Sequence, residues 1–312
     1  MGTGDIALPS FSSLLDREDM NLVGLVTQPD KPVGRKQVMT PPQIKKLAVE
    51  HGISVFQPEK VSDAQFLSEL KALNPDIIVV MAYGQILSQA LLDIPSVACI
   101  NLHASLLPKY RGAACIQAAI DAGDSHTGVT VMHVVKALDA GDIILKCETP
   151  IGEQETGGEL HDRLAELAPD AMNHALSQLV DGSATREPQD PDQVSYISKL
   201  MRSDGQIDWS MPASALERRI RAYDPWPGTS TEFTEKKGRN KGRKRRLKIF
   251  PQVEVLERSG APGEVLECSD QLVIACGEGA LKINHLQPDG SRRMDVADFL
   301  LSAPFEVGDL LG

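Results

Sequence analysis

Apolar positions in the first part of the chain fall into short runs separated by amphipathic stretches. Residues 22–27, 53–57, 76–81, 98–102 and 128–135 are apolar or β-branched runs of strand length. Between them, residues 42–51, 63–73, 87–92 and 113–122 predict helices; Ile44, Leu47 and Ala48, or Phe66, Leu67 and Leu70, share one helical face. Gly52 offers a stop for the first of these helices, and residues 28–42 read as a long polar loop. The run 76–81 is apolar almost throughout, as in strands buried on both faces of a parallel sheet. This alternation predicts an α/β domain with a mostly parallel sheet.

Residues 159–179 predict a long helix, with Leu160, Leu164, Leu167 and Ala171 at helical spacing. Residues 181–194 are rich in Pro, Asp, Gln and Ser and read as a linker. The texture then changes: a helix at 216–222 precedes short strand-like runs at 246–250, 263–268, 271–275 and 280–286. Such spacing predicts a small C-terminal β-barrel. The expected organisation is a domain over 1–182, a linker over 183–204 and a second domain over 205–312. The start is unusual. A helical pattern over 6–15 follows Gly2-Thr3-Gly4 directly, although a parallel α/β domain normally opens with an apolar strand. We therefore expect the native reading frame to begin upstream of Met1.

A length of 312 residues agrees with two domains. The net charge of −11 excludes a general nucleic-acid coat, but residues 236–248 concentrate Lys and Arg, among them Arg243, Lys244, Arg245 and Arg246. A basic loop on a barrel suits a phosphate backbone. Cys99, Cys115, Cys147, Cys268 and Cys276 form no paired spacing and read as reduced thiols. No apolar run is long enough for a membrane span, so a cytoplasmic protein without membrane partners is expected.

The chemistry concentrates in two segments. In Asn101-Leu-His-Ala-Ser-Leu-Leu-Pro-Lys-Tyr-Arg-Gly112, Asn101 and His103 end a predicted strand and point to one side of it. Ligands bind at such carboxyl ends. A carboxamide and an imidazole there suit an oxygen that becomes negative. The second segment, Gly128 to Asp142, is a strand delivering Leu-Asp139-Ala-Gly-Asp142. Asp139 could orient His103, relay a proton, or both. The seven His are scattered without metal-ligand spacing, so no metal is expected.

Together these segments resemble the folate-dependent formyltransferase family. The likeness continues in Thr27-Gln-Pro-Asp-Lys-Pro-Val-Gly-Arg35, Ala82-Tyr-Gly-Gln-Ile-Leu87, Gln206-Ile-Asp-Trp-Ser210 and Tyr223-Asp-Pro-Trp-Pro-Gly228, and it covers nearly the whole chain. The resemblance implies a doubly wound α/β N-terminal domain with an OB-like C-terminal β-barrel, and Asn101, His103 and Asp139 as catalytic residues. It implies a reduced-folate donor, 10-formyltetrahydrofolate, bound by Ser105, Leu106, Leu107 and Pro108 with Tyr83, Gly84 and Asp142. It implies an acceptor amine on the methionine of initiator methionyl-tRNA, contacted by Arg35, Lys36 and residues 243–246. A monomer is expected. A small amine such as glycinamide ribonucleotide or an amino sugar nucleotide is the rival acceptor, and a non-enzymatic RNA-binding scaffold the rival of another class. The chain departs from the family pattern in lacking the opening strand and in carrying Gly4 and Cys115 where proline is usual.

Overall fold

The structure is a computed structural model that describes all residues except 35, 236–241, 302 and 303. The chain divides into two compact units, one made of Met1–Cys115, His126–Pro150 and His161–Ile197, the other of Ile116–Ser125, Ile151–Leu160 and Ser198–Gly312. In chain order the elements begin α1 (Leu8–Leu15), β1 (Leu25–Val26), β2 (Lys31–Val33), β3 (Val38–Thr40), α2 (Gln43–Glu50) and β4 (Val55–Phe56). Next come α3 (Ala64–Ala72), β5 (Ile77–Val80), α4 (Gln89–Leu92), β6 (Ala98–His103), β7 (Arg111–Gly112) and α5 (Cys115–Ala122). Then follow β8 (His126–His133), β9 (Ile143–Pro150), α6 (Gly157–Asp181) and β10 (Tyr196–Ile197).

The local signals act as expected in several of these elements. Asp63 caps α3 by accepting from the N–H groups of Gln65 and Phe66, and Phe66 and Leu70 go into the core. Thr156 and Glu159 form a reciprocal capping pair at the start of α6. Along α6, Leu160, Leu164, Ala168, Ala171 and Ala175 are all buried, as the helical spacing requires.

The doubly wound, mostly parallel sheet is not what forms. The sheet carrying Asn101 and His103 runs β5-β6-β8-β9; β5 and β6 are parallel, but β8 is antiparallel to β6 and β9 to β8. A parallel neighbour needs a crossover back to the starting end of the sheet, whereas an antiparallel one needs only a reversal. The segment from Ala104 through α5 does not make that return: Thr130 pairs with His103 and His133 with Ile100, so β8 enters from the end at which β6 leaves. β1 pairs in parallel with β4. Met1 and Gly2 lie between β1 and β5, with the Gly2 N–H on the Val26 carbonyl and the Met81 N–H on the Met1 carbonyl. β2 and β3 form an exposed hairpin inside the stretch expected as a loop.

The second unit contains α7 (Ala213–Ala222), β11 (Thr229–Thr234), β12 (Lys244–Ile249), β13 (Glu254–Leu256), β14 (Val265–Glu267), β15 (Leu272–Ala275), β16 (Ala280–Ile283), β17 (His285–Pro288), β18 (Met294–Asp295) and α8 (Val296–Leu300). The expected closed barrel is also corrected. Among the described residues the strands form two antiparallel sheets, β11-β12-β17-β18 and β13-β16-β15-β14, with no ladder joining them. The run 280–286, expected as one strand, breaks at Asn284 and passes from one sheet to the other. The Asn284 amide donates to the Gln252 carbonyl at that switch. The two sheets share a core in which Phe233, Phe299 and Phe305 pack edge to face.

Candidate active site

β6 delivers Asn101 and His103 to the same face, because residues two apart on a strand point the same way. On β8 their direct partners are Met132 and Thr130, which therefore share that face. The Thr130 hydroxyl donates to the Ser105 carbonyl at 2.6 Å and accepts from the Leu107 N–H at 3.1 Å. That pair of bonds sets the path of the chain leaving His103. Ser105 closes the turn through its hydroxyl on the Lys109 carbonyl, and Leu107, ahead of a cis Pro108, is fully buried with Met132 and Ile143. Leu106 is half-buried and Pro108 buried.

His103 is buried, and its Nε2 lies 2.9 Å from the Tyr110 carbonyl. A carbonyl only accepts, so this nitrogen carries a proton. The Nδ1 atom faces Asp139 Oδ2 at 3.7 Å, close enough for charge attraction but beyond hydrogen-bond range. The same Oδ2 accepts the Gly112 N–H at 2.8 Å. Asp139 sits in the left-handed region, with φ +47°. Burial opposes charge on His103, yet its hydrogen-bonded neighbour Cys115, the Asp139 carboxylate and the Tyr110 carbonyl together push its pKa up to about 9. Asn101 is half-buried two positions earlier on the same strand face.

The remaining residues expected in the site are more dispersed. Tyr83 and Gly84 follow β5. The Tyr83 ring is buried in the core with Val80, Leu87 and Leu91, and burial raises its hydroxyl to about 12. Its carbonyl accepts from Thr3 and Gln28. Gly84 takes φ +85° and faces open space. The Asp142 carbonyl accepts the His133 N–H, and its carboxylate stands 3.8 Å from Arg186. Burial, then Arg186, lowers the pKa of His133.

Of the basic residues, Arg35 lies outside the described residues, and Lys36 is exposed at the β2–β3 turn. Arg243 and Lys244 are exposed as well. Arg245 is half-buried and bonds the Asp289 carbonyl, and Arg246 donates to the Ser230 hydroxyl at 2.7 Å. Gln189 also belongs to the surroundings of Asp139, through the Asp139 carbonyl, although nothing local in the sequence marks it; it is held in turn by Arg111 of the Tyr-Arg-Gly112 segment.

Residues 2–176 match the formyl transferase family, and residues 199–304 match the formyl transferase C-terminal domain. The chain is 52% identical over 306 residues to methionyl-tRNA formyltransferase of Akkermansia muciniphila, covering 97% of this chain and 96% of that protein. It is 44% identical over 313 residues to the methionyl-tRNA formyltransferase of Citrifermentans bemidjiense, covering 100% and 95%. Among solved structures it shares its fold with WlaRD, a sugar 3N-formyl transferase crystallised in the presence of dTDP and 5-N-formyl-THF (TM-score 0.65, 17% identity, 93% and 97% covered). HypX from Aquifex aeolicus in complex with tetrahydrofolic acid is a more distant likeness (TM-score 0.59, 18% identity, 94% and 51% covered). With both segments of the family matched and high identity over nearly the full length of its relatives, the chain belongs to the methionyl-tRNA formyltransferase family.

Proposed function

We propose that this enzyme transfers the formyl group of 10-formyltetrahydrofolate to the α-amino group of methionine on initiator methionyl-tRNA. The observation that carries the reading is the face of β6 on which Asn101 and His103 stand, with the Asp139 carboxylate set 3.7 Å from the imidazole. The neutral amine attacks the formyl carbon, and the carbonyl oxygen becomes negative. Asn101 and a cationic His103 donate to that oxygen. The bond from the formyl carbon to N10 of the folate then breaks, N10 takes a proton, and the amine loses one. Asp139 holds the charge of His103 and is placed to help that proton move. Ser105, Leu106, Leu107 and Pro108, with Tyr83, Gly84 and Asp142, are read as the folate side of the site.

In the same reading, residues 1–182 form the catalytic part, 183–204 connect, and 205–312 bind tRNA, in a monomeric cytoplasmic protein. Among the described residues no helix is long and apolar enough to cross a membrane. Arg35, Lys36 and the run 243–246 are read as the phosphate contacts. Within that run, Arg243 and Lys244 are exposed, Lys244 standing 3.6 Å from Glu232, whereas Arg245 and Arg246 are half-buried and hydrogen-bonded to Asp289 and Ser230. Replacing Arg243 and Lys244 by Ala should weaken tRNA binding and reduce the slope of log affinity against log salt by about 1 per lost contact. A titration at several salt concentrations checks this, and an unchanged slope would remove the two residues from the interface.

The reaction is tested with purified protein, 10-formyltetrahydrofolate and methionine-charged initiator tRNA, with charged elongator tRNA in parallel. Formyl transfer confined to the initiator is the expected result. Transfer to a free amino sugar nucleotide but not to charged tRNA would overturn it. The rate should also respond to pH with two limbs. It rises as the α-amine of the acceptor loses its proton. It falls as His103 is deprotonated, with a pKa of about 9. Cys115→Ala removes one of the groups that raise His103 and should move the falling limb to lower pH. A falling limb at the same pH in the variant would show that Cys115 does not tune the imidazole. The fold should respond in the same sense: a His whose folded pKa is raised stabilises below its ordinary value, and that contribution fades as pH climbs toward about 9.

A further inference from the structure

We propose that Gln189 is a positioning residue for Asp139, acting through the backbone of the loop that carries it. The inference rests on Asp139 being part of the catalytic machinery, and it assigns a role to a stretch that reads, in sequence, as a linker.

The Gln189 side chain bridges two structures. Its Nε2 donates to the Asp139 carbonyl and to the Gly141 carbonyl, each at 2.8 Å. Its Oε1 accepts from Arg111 Nε at 3.1 Å and Arg111 Nη2 at 2.8 Å. The amide can take only this orientation, since guanidinium groups only donate and carbonyls only accept. Every strong hydrogen-bonding position of the side chain is therefore used. Arg111 is itself fixed: it is buried, its Nη1 donates to the Tyr196 hydroxyl, and its guanidinium lies over the Tyr196 ring. The segment bearing Gln189 is held on both sides. Glu187 exchanges backbone bonds with Ile143, and Ser195 accepts the Arg111 N–H.

The bonds close a ring. Arg111 holds Gln189, Gln189 holds the Asp139 carbonyl, and the Asp139 carboxylate accepts from Gly112, the residue after Arg111. Such a ring answers a specific need. A non-glycine residue at φ +47° is in a sparsely populated region and stays there only when its surroundings hold it. Here one donor fixes the main chain of Asp139 and another fixes its carboxylate. The neighbouring Val135 and Leu138 are exposed and add little restraint. A misplacement of about 1 Å at a reacting group can cost roughly 10²-fold in rate.

The informative variant is Gln189→Glu. It keeps an acceptor for Arg111, now as an ion pair, but sets a carboxylate oxygen against the carbonyls of Asp139 and Gly141 where two N–H bonds were. Gln189→Ala removes both ends. For both variants, kcat, KM for 10-formyltetrahydrofolate and for methionyl-tRNA, and the thermal midpoint are measured beside wild type, Asp139→Asn and the Asp139→Asn/Gln189→Glu double variant. Gln189→Glu should keep a near-wild-type midpoint and both KM values within about twofold, yet lose roughly 10- to 100-fold in kcat. The double variant should be no slower than Asp139→Asn alone, because Gln189 acts through Asp139. Wild-type kcat in Gln189→Glu would overturn the proposal. So would a loss that tracks the midpoint, or one that adds in full to that of Asp139→Asn. If Asp139→Asn itself keeps normal turnover, the catalytic reading of Asp139 fails instead, and the two failures are distinguishable.

Discussion

Asp139→Asn and His103→Ala should each fold normally and lose roughly 10²–10³ in kcat, the usual cost of removing one group that stabilises a developing oxyanion. The Asp139 substitution is the cleaner of the two. Asn can still accept the Gly112 N–H now bound at 2.8 Å, so the loop keeps that bond. What disappears is the negative charge 3.7 Å from His103. The pKa of His103 should then fall from about 9, since the Asp139 carboxylate is one of the groups that raise it. The deprotonation limb of the rate profile would move down with it. Steady-state kinetics across pH, with circular dichroism to check folding, measures both. Full turnover in a folded Asp139→Asn variant would exclude the carboxylate from the chemistry.

Gly112→Ala should cost on the order of 3 kcal/mol of stability. Gly112 has φ +109°, a conformation closed to side-chain-bearing residues, and an added Cβ would stand 2.2 Å from the Ile197 carbonyl oxygen. That oxygen belongs to backbone paired with β7, so it cannot move aside without opening the β7–β10 ladder. Any shift would also carry away the N–H that holds Asp139, so turnover should drop with stability. Gly52→Ala is the control: it also has positive φ but meets open space, and should cost about 1–2 kcal/mol. Urea unfolding of both variants decides the matter, and equal effects would show that the Ile197 contact yields easily.

Much of the first unit was legible because its signals are local. The helix expected over 63–73 forms as Ala64–Ala72, and the strand expected over 98–102 forms as Ala98–His103. Other elements escaped for physical reasons. After the buried Ile143 and Ile144, β9 alternates half-buried and exposed residues along an antiparallel strand, so it lacks the continuous apolar run that marked the others. β11 is Thr-Ser-Thr-Glu-Phe-Thr, yet Thr229, Ser230 and Thr231 are buried. The Thr229 hydroxyl reaches the Ile249 carbonyl, and Ser230 and Thr231 accept from Arg246 and Trp209, which a polar run does not announce. The break at Asn284 was equally hidden, because both flanking runs are good strands.

The sequence by itself determined the chemistry on offer. Asn101 and His103 share a strand face by period alone, and the Leu-Asp-Ala-Gly-Asp loop follows a strand whatever that strand pairs with. Family membership was equally contained in motifs that extend over both halves of the chain. Only the tertiary structure decided strand direction, sheet partition and what holds Asp139. These depend on contacts between residues far apart in sequence: Thr130 with Ser105, Gly112 with Asp139, and Gln189 with both Arg111 and Asp139. Periodicity constrains which side a residue faces, but a hydrogen bond spanning 50 or 78 positions leaves no local trace, because either partner alone reads as an ordinary polar residue.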